Sequence, residues 1–168
     1  MEKEEDLINV WIENTAGQHC WGMAAGGCTG TAFILRYGAK LKRDKPVSNQ
    51  ALSEDCRLYE SNFSLFVHSA QWKLGTDHNG IVKRITDSKD DCSPDGPMVA
   101  GLEFIVGNVI ESVTFDCGTH DLNLYFRKGH LRLKVFGNIP KGSFGYSLYL
   151  PKCVVSIEEG GQIKSEEL

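Results

Sequence analysis

The chain has 168 residues, 41% of them hydrophobic and 24% charged, with a formal net charge of −4 at pH 7. That balance belongs to a globular domain large enough to bury a core without metal or disulfide staples, and it excludes a disordered or fibrous chain. Residues 1–86 carry ten Lys or Arg against ten Asp or Glu, and residues 87–168 carry eight against twelve, an acidic excess that disfavours nucleic acid as the main partner because phosphate tracking needs a basic footprint.

Along the chain, the acidic start Glu2-Lys3-Glu4-Glu5-Asp6 reads as a frayed tail. It lacks the basic and apolar regions of an export signal, and no apolar run approaches a bilayer span, so the reading is cytoplasmic with no membrane partner. Leu7 to Ile12 has apolar residues on both registers and reads as a strand, with a short helix opened by the acidic run as the other fit. Glycine and alanine crowd 17–30, as at a bend between strands; no complete phosphate-binding motif opens a helix there. Phe33, Leu35 and Tyr37 share a face, Gly38-Ala39 turns the chain and Leu41 begins a return, a hairpin signal. Residues 44–60 hold the one plausible helix, with Ser48 as its N-cap. Strands follow at Phe63 to Val67 and Trp72 to Leu74. The polar run Asp87 to Pro97 reads as a linker or exposed loop. Leu102 to Ile110 and Val113 to Phe115 read as strands. The firmest hairpin is Leu122, Leu124 and Phe126 alternating with polar residues, a turn at Lys128-Gly129, then Leu131, Leu133 and Val135. Tyr146 to Leu150 and Val154 to Ile157 complete the set.

The two halves resemble each other. Phe63-Ser64-Leu65-Phe66-Val67, with Trp72-Lys73-Leu74 after it, is echoed by Tyr146-Ser147-Leu148-Tyr149-Leu150 and Val155-Ser156-Ile157. Cys28-Thr29-Gly30-Thr31 before Phe33 is likewise echoed by Cys117-Gly118-Thr119-His120 before Leu122. The spacing drifts, as in a diverged duplication and not a solenoid. The sequence therefore predicts a mainly β protein, with antiparallel sheets from two fused, diverged repeats arranged as a sandwich or partly open barrel and at most one or two short helices. The predicted organisation is a first repeat at 1–86, an acidic linker or loop at 87–101 and a second repeat at 102–168, joined in one compact unit.

Candidate chemistry is sparse. Asp87, Asp90, Asp91 and Asp95 gather four carboxylates in nine residues, but not with the alternating ligands of a calcium loop. They read as a solvated turn or as a contact surface for a basic protein, since concentrated carboxylates speed encounter with cationic partners. Arg36, Lys40, Lys42, Arg43 and Lys45, with Arg127, Lys128, Arg132 and Lys134, fall on the wet faces of hairpins. Asp77-His78 and His120-Asp121 are adjacent acid and imidazole pairs, yet strand neighbours point to opposite faces. With no nucleophile elbow, a hydrolase built from His78 or His120 with Cys117 is the weaker reading. Six scattered cysteines without a close pair read as free thiols; a zinc site of His19, Cys20 and Cys28 lacks the usual ligand spacing. Of the tryptophans, Trp21 reads as the exposed one, beside Trp11 and Trp72 in the core. No catalytic, metal or cofactor site is assigned.

The Asp121-Leu122-Asn123-Leu124-Tyr125-Phe126 run with Gly129 and Leu131, the Tyr146-Ser147-Leu148 block and Trp72-Lys73-Leu74 resemble the small, β-rich bacterial immunity proteins encoded beside polymorphic or contact-dependent toxins. The resemblance implies a cytoplasmic, non-enzymatic binder that neutralises a cognate toxin; the acidic balance agrees with an inhibitor that buries the active surface of a basic partner. The alternative is a small-molecule-binding or hydrolytic β-barrel with a pocket between the repeats.

Overall fold

Alternating side chains dictate most of the architecture. In the computed structural model, which describes residues 2–168 apart from the side chains of Glu2 and Cys28, eleven strands form two antiparallel sheets. Sheet I has the order β1 (Cys20–Ala25), β2 (Phe33–Lys42), β3 (Tyr59–Val67), β9 (Phe144–Tyr149), β10 (Cys153–Glu158) and β11 (Ile163–Glu167). Sheet II runs β5 (Ile81–Asp87), β4 (Trp72–His78), β8 (Leu131–Val135), β7 (Leu122–Phe126) and β6 (Ile110–Phe115). Both sheets keep free edges, so the two layers make a sandwich and not a closed barrel.

The inward faces read off directly as rows of opposed residues. Sheet I places Leu35 opposite Leu65, Leu65 opposite Leu148 and Leu148 opposite Val155. Sheet II places Trp72 and Leu122 on either side of Val135, and Leu74 and Leu124 on either side of Leu133. The layers meet where the Phe33 ring packs edge-on against Trp72, centroids 5.0 Å apart. Burying such side chains contributes roughly 1.5–3 kcal/mol each relative to exposure.

The halves interlock. The first contributes β1-β2-β3 to sheet I and the β4-β5 hairpin to sheet II; the second contributes β6-β7-β8 to sheet II and β9-β10-β11 to sheet I. Two seams join them, β3 to β9 and β4 to β8. The matched segments Phe63 to Val67 and Tyr146 to Leu150 thus lie side by side across the first seam, with Val67 opposite Tyr146.

Several local expectations are corrected. Leu7 to Ile12 is not a strand: α1 spans Glu2–Thr15, so residues 2–6 are its first turns, while Met1 lies outside the described residues. Ile8, Trp11 and Thr15 are buried along one helical stripe, and the acids of the first turn favour the positive end of the helix dipole. Gly38 does not turn the chain either. β2 continues through it as a bulge, with Gly38 at φ +72° and the Ala39 amide donating to Asn62 Oδ1 at 2.9 Å. The helix expected in 44–60 contracts to α2 (Glu54–Leu58), capped by Ser53 and not Ser48. Leu102 to Ile110 is not a continuous strand: it runs from the end of α3 (Pro97–Glu103) through a turn at 104–107 and a lone bridge of Val109 with His19 to the start of β6 at Ile110; Pro97 suits a first helical turn, and Met98 and Leu102 are fully buried. Trp21 is half-buried, with Lys40 Nζ 5.3 Å from its ring centre.

Candidate binding groove

The solvent face of sheet II carries an open groove of about 440 Å³. Strand alternation that sends Trp72, Leu74, Leu133 and Val135 inward sends Lys73, Gly75, Arg132 and Lys134 outward. On β5 the register slips by a residue, so that Thr86 faces Leu74 but Arg84, not Ile85, faces Gly75. That bulge keeps Arg84 on the wet face; a regular strand would turn it toward the core. Two rows result. Asp87, Lys73, Lys134 and Asn123 lie across one, and Arg84, Gly75, Arg132 and Tyr125 across the next. Residue 75 has no side chain and the β5 backbone at Lys83 packs closely against it between the two arginines, while Val82 and Phe136 wall the groove.

The cations are held in place. Arg132 donates to Asp77 at 3.2 Å and through Nε and Nη2 to Asn123 Oδ1 at 3.2 and 2.9 Å, and its guanidinium lies 5.4 Å from the Tyr125 ring centre. Lys134 pairs with Asp121 at 2.7 Å and lies 4.7 Å from the centre of Phe136. Arg84 donates to Asp87 at 2.9 Å and also to Asp90. Lys73 is exposed, its ammonium 5.6 Å from the Phe136 centre. Of the carboxylates named, Asp87 alone lines the groove; Asp77, Asp90 and Asp121 brace the cations from outside its lining.

The predicted contact acids divide accordingly. The hydrogen bond from Arg84 holds the Asp87 carboxyl below its ordinary range, and the Thr86 hydroxyl, at 2.7 Å, does most to lower Asp90. Both acids are thus engaged within the turn, Asp87 on the groove lining and Asp90 outside it. Asp91 is exposed and accepts from the amide and hydroxyl of Ser93, each at 3.0 Å; Asp95 is also exposed.

The residues proposed for hydrolysis do not converge. His78 follows Thr76, which pairs with Leu131, and its ring lies 4.6 Å from that of His130. His120 sits at the opposite end of sheet II, before Leu122, where its ring stacks on Phe115 and its carbonyl accepts from the Tyr146 hydroxyl at 2.6 Å. Cys117 is exposed in the β6–β7 turn. Cys20, Cys56, Cys92 and Cys153 are free thiols, the Cys28 side chain lies outside the described residues, and no group of three or more His, Cys, Asp or Glu among the described residues is placed to hold a metal.

One polar network was not foreseen. On the solvent face of sheet I, His68 Nε2 and Ser147 Oγ are 3.0 Å apart, and Ser156 Oγ is 2.9 Å beyond. The Phe66 ring lies 3.9 Å from the imidazole, centre to centre, and burial lowers the His68 pKa. Only strand order joins these residues, so nothing local in the sequence marks them. Ser147 lies on an inner strand between β3 and β10, where ladder bonds engage the backbone, so the neighbourhood lacks the free amides that would stabilise an oxyanion.

Fold and site together define an antiparallel β-sandwich with an ion-paired groove on one outer face. No family model matches the chain, and neither a curated protein nor a solved structure matches it. No helix among the described residues is long and apolar enough to cross a membrane.

Proposed function

We propose that the chain is a non-enzymatic protein-binding module of the immunity type, acting in the cytoplasm on a cognate toxin whose active surface it covers. The observation that carries this reading is the groove on sheet II. It is open and lined by charged side chains, of which Arg84, Arg132 and Lys134 are already held in ion pairs, an arrangement suited to docking a surface with little loss of side-chain freedom. The space between the sheets is instead filled by the leucines, Trp72 and Phe33, which disfavours a reactive pocket between the halves. Exposed Asp91 and Asp95, which lie outside the groove lining, and the net charge of −4 favour a partner that also carries basic residues. Duplication belongs to the same proposal. What supports it is a chain order of helix, three-stranded meander and crossover into the other sheet that occurs twice, from α1 and from α3.

A pull-down from native cytoplasm at low and moderate salt tests the reading. Equimolar retention of one polypeptide, whose toxic activity is lost in the complex, is the expected result. If the tagged protein retains nothing at either salt, the binder reading is abandoned.

A further inference from the structure

We infer that the groove on sheet II is an anchor site for an aspartate or glutamate side chain presented by an extended segment of a protein partner. The inference rests on the protein-binding reading and names the chemistry its partner must offer.

Four cations line the groove, Lys73 and Lys134 in one row and Arg84 and Arg132 in the next; Asp87, Asp90, Asp77 and Asp121 pair with Arg84, Arg132 and Lys134, and Lys73 makes no ion pair among the described residues. Lys73 lies directly opposite Lys134 across the β4–β8 seam and opposite Asp87 on its other side, so a further anion beside it would relieve the like-charge pair. Asp121 binds Lys134, whereas Lys73 rests against Phe136. The guanidinium groups keep N–H donors beyond those used on Asp77, Asn123, Asp87 and Asp90. The seat is the groove space among Lys73, Arg84 and Arg132, with Gly75 part of its lining. A Cβ at 75 would stand 2.7 Å from the Lys83 carbonyl oxygen and 3.0 Å from Val82 Cγ1, so glycine lets the β5 backbone pack closely against β4 there.

The surroundings favour a peptide over a free ion. Val82 is 51% exposed on the groove wall, which Phe136 shares. A segment placing a carboxylate among Lys73, Arg84 and Arg132 and an apolar side chain against Val82 and Phe136 would satisfy both the charged and the apolar lining, whereas an inorganic anion would leave the apolar wall wet.

The test is an amide-resolved NMR titration of the full chain with an acetylated, amidated nonapeptide bearing a central Glu-Phe among Ser and Gly, against its Gln-Phe counterpart. Shifts confined to Lys73, Gly75, Val82, Arg84 and Arg132, with the Gln peptide and the Lys73→Glu variant each about tenfold weaker, are expected. Lys73 is exposed, so the variant should keep the wild-type melting temperature. Equal binding of both peptides, shifts elsewhere, or competition by inorganic phosphate at the peptide's own affinity would overturn the inference. If Lys73→Glu retains the pull-down partner as well as wild type, the groove assignment fails while the binder reading stands. If the peptide binds but wild type retains no protein, the groove stands and the binder reading fails.

Discussion

Leu148 provides the sharpest test of how the sandwich is held together. It is fully buried on an inner strand of sheet I, opposite Leu65 on one side and Val155 on the other, so Leu148→Ala opens a cavity that its flanking strands cannot close. Such a loss costs about 3–5 kcal/mol. At roughly 2–4 °C per kcal/mol for a chain of this size, the melting temperature should fall by about 6–20 °C. Leu65, also fully buried, belongs to the other half of the chain, and Leu65→Ala should cost a similar amount. The two cavities adjoin across the β3–β9 seam. A double-mutant cycle in sulfate-stabilised buffer should therefore show coupling of about 0.5–3 kcal/mol. Circular dichroism and the fluorescence of buried Trp72 should report one coincident transition. Additivity within about 0.3 kcal/mol, or separate transitions for the two probes, would refute the interlocked single core.

Thiol chemistry should follow burial: Cys117 reacts with an aromatic disulfide reagent in the native protein, while Cys20, whose thiol burial pushes up to about 12, reacts only after unfolding. Burial lowers the His68 pKa in the folded state, so its contribution to stability is complete above the unfolded value of about 6.5 and declines as pH falls toward the folded pKa; urea midpoints at several pH values should show this, and His68→Gln should flatten it. Gly137→Ala should destabilise by about 1–3 kcal/mol in thermal melts, because a Cβ there would collide with the Thr119 carbonyl oxygen and the His120 backbone.

The β7–β8 hairpin was legible because its two apolar registers are strict: Leu122, Leu124, Phe126, Leu131, Leu133 and Val135 are all buried in the structure. The α1 segment was not. With apolar residues at 7, 8, 10, 11 and 12, its central run fits either period, and packing of Trp11 against Tyr37, ring centres 6.3 Å apart, is a tertiary fact no local window contains. The site divides in the same way. That Arg132 and Lys134 face water followed from alternation. That Lys73, Arg84 and Phe136 join them depends on the order β5-β4-β8 and on a bulge opposite Gly75, which are consequences of long-range pairing. The acidic loop was visible as composition, but Arg84, which ties Asp87 and Asp90 into the turn, stood outside the run being read.

The groove is also the place where the two halves of the chain depend on each other. Lys73, Gly75, Val82 and Arg84 come from the first half, and Arg132, Lys134 and Phe136 come from the second, meeting only because β4 pairs with β8. Neither half can present the site alone, since each lacks one wall and the bracing acids of the other: Asp77 in β4 holds Arg132 of β8. A ligand seated across this seam recognises the assembled sandwich and not the separated halves. Binding then opposes unfolding by mass action, worth about 2.7 kcal/mol at a ligand concentration one hundred times its dissociation constant. The same geometry explains why the groove can hold several cations at modest cost: the braces are cross-strand and local, so the charge is oriented by the fold itself before any partner arrives.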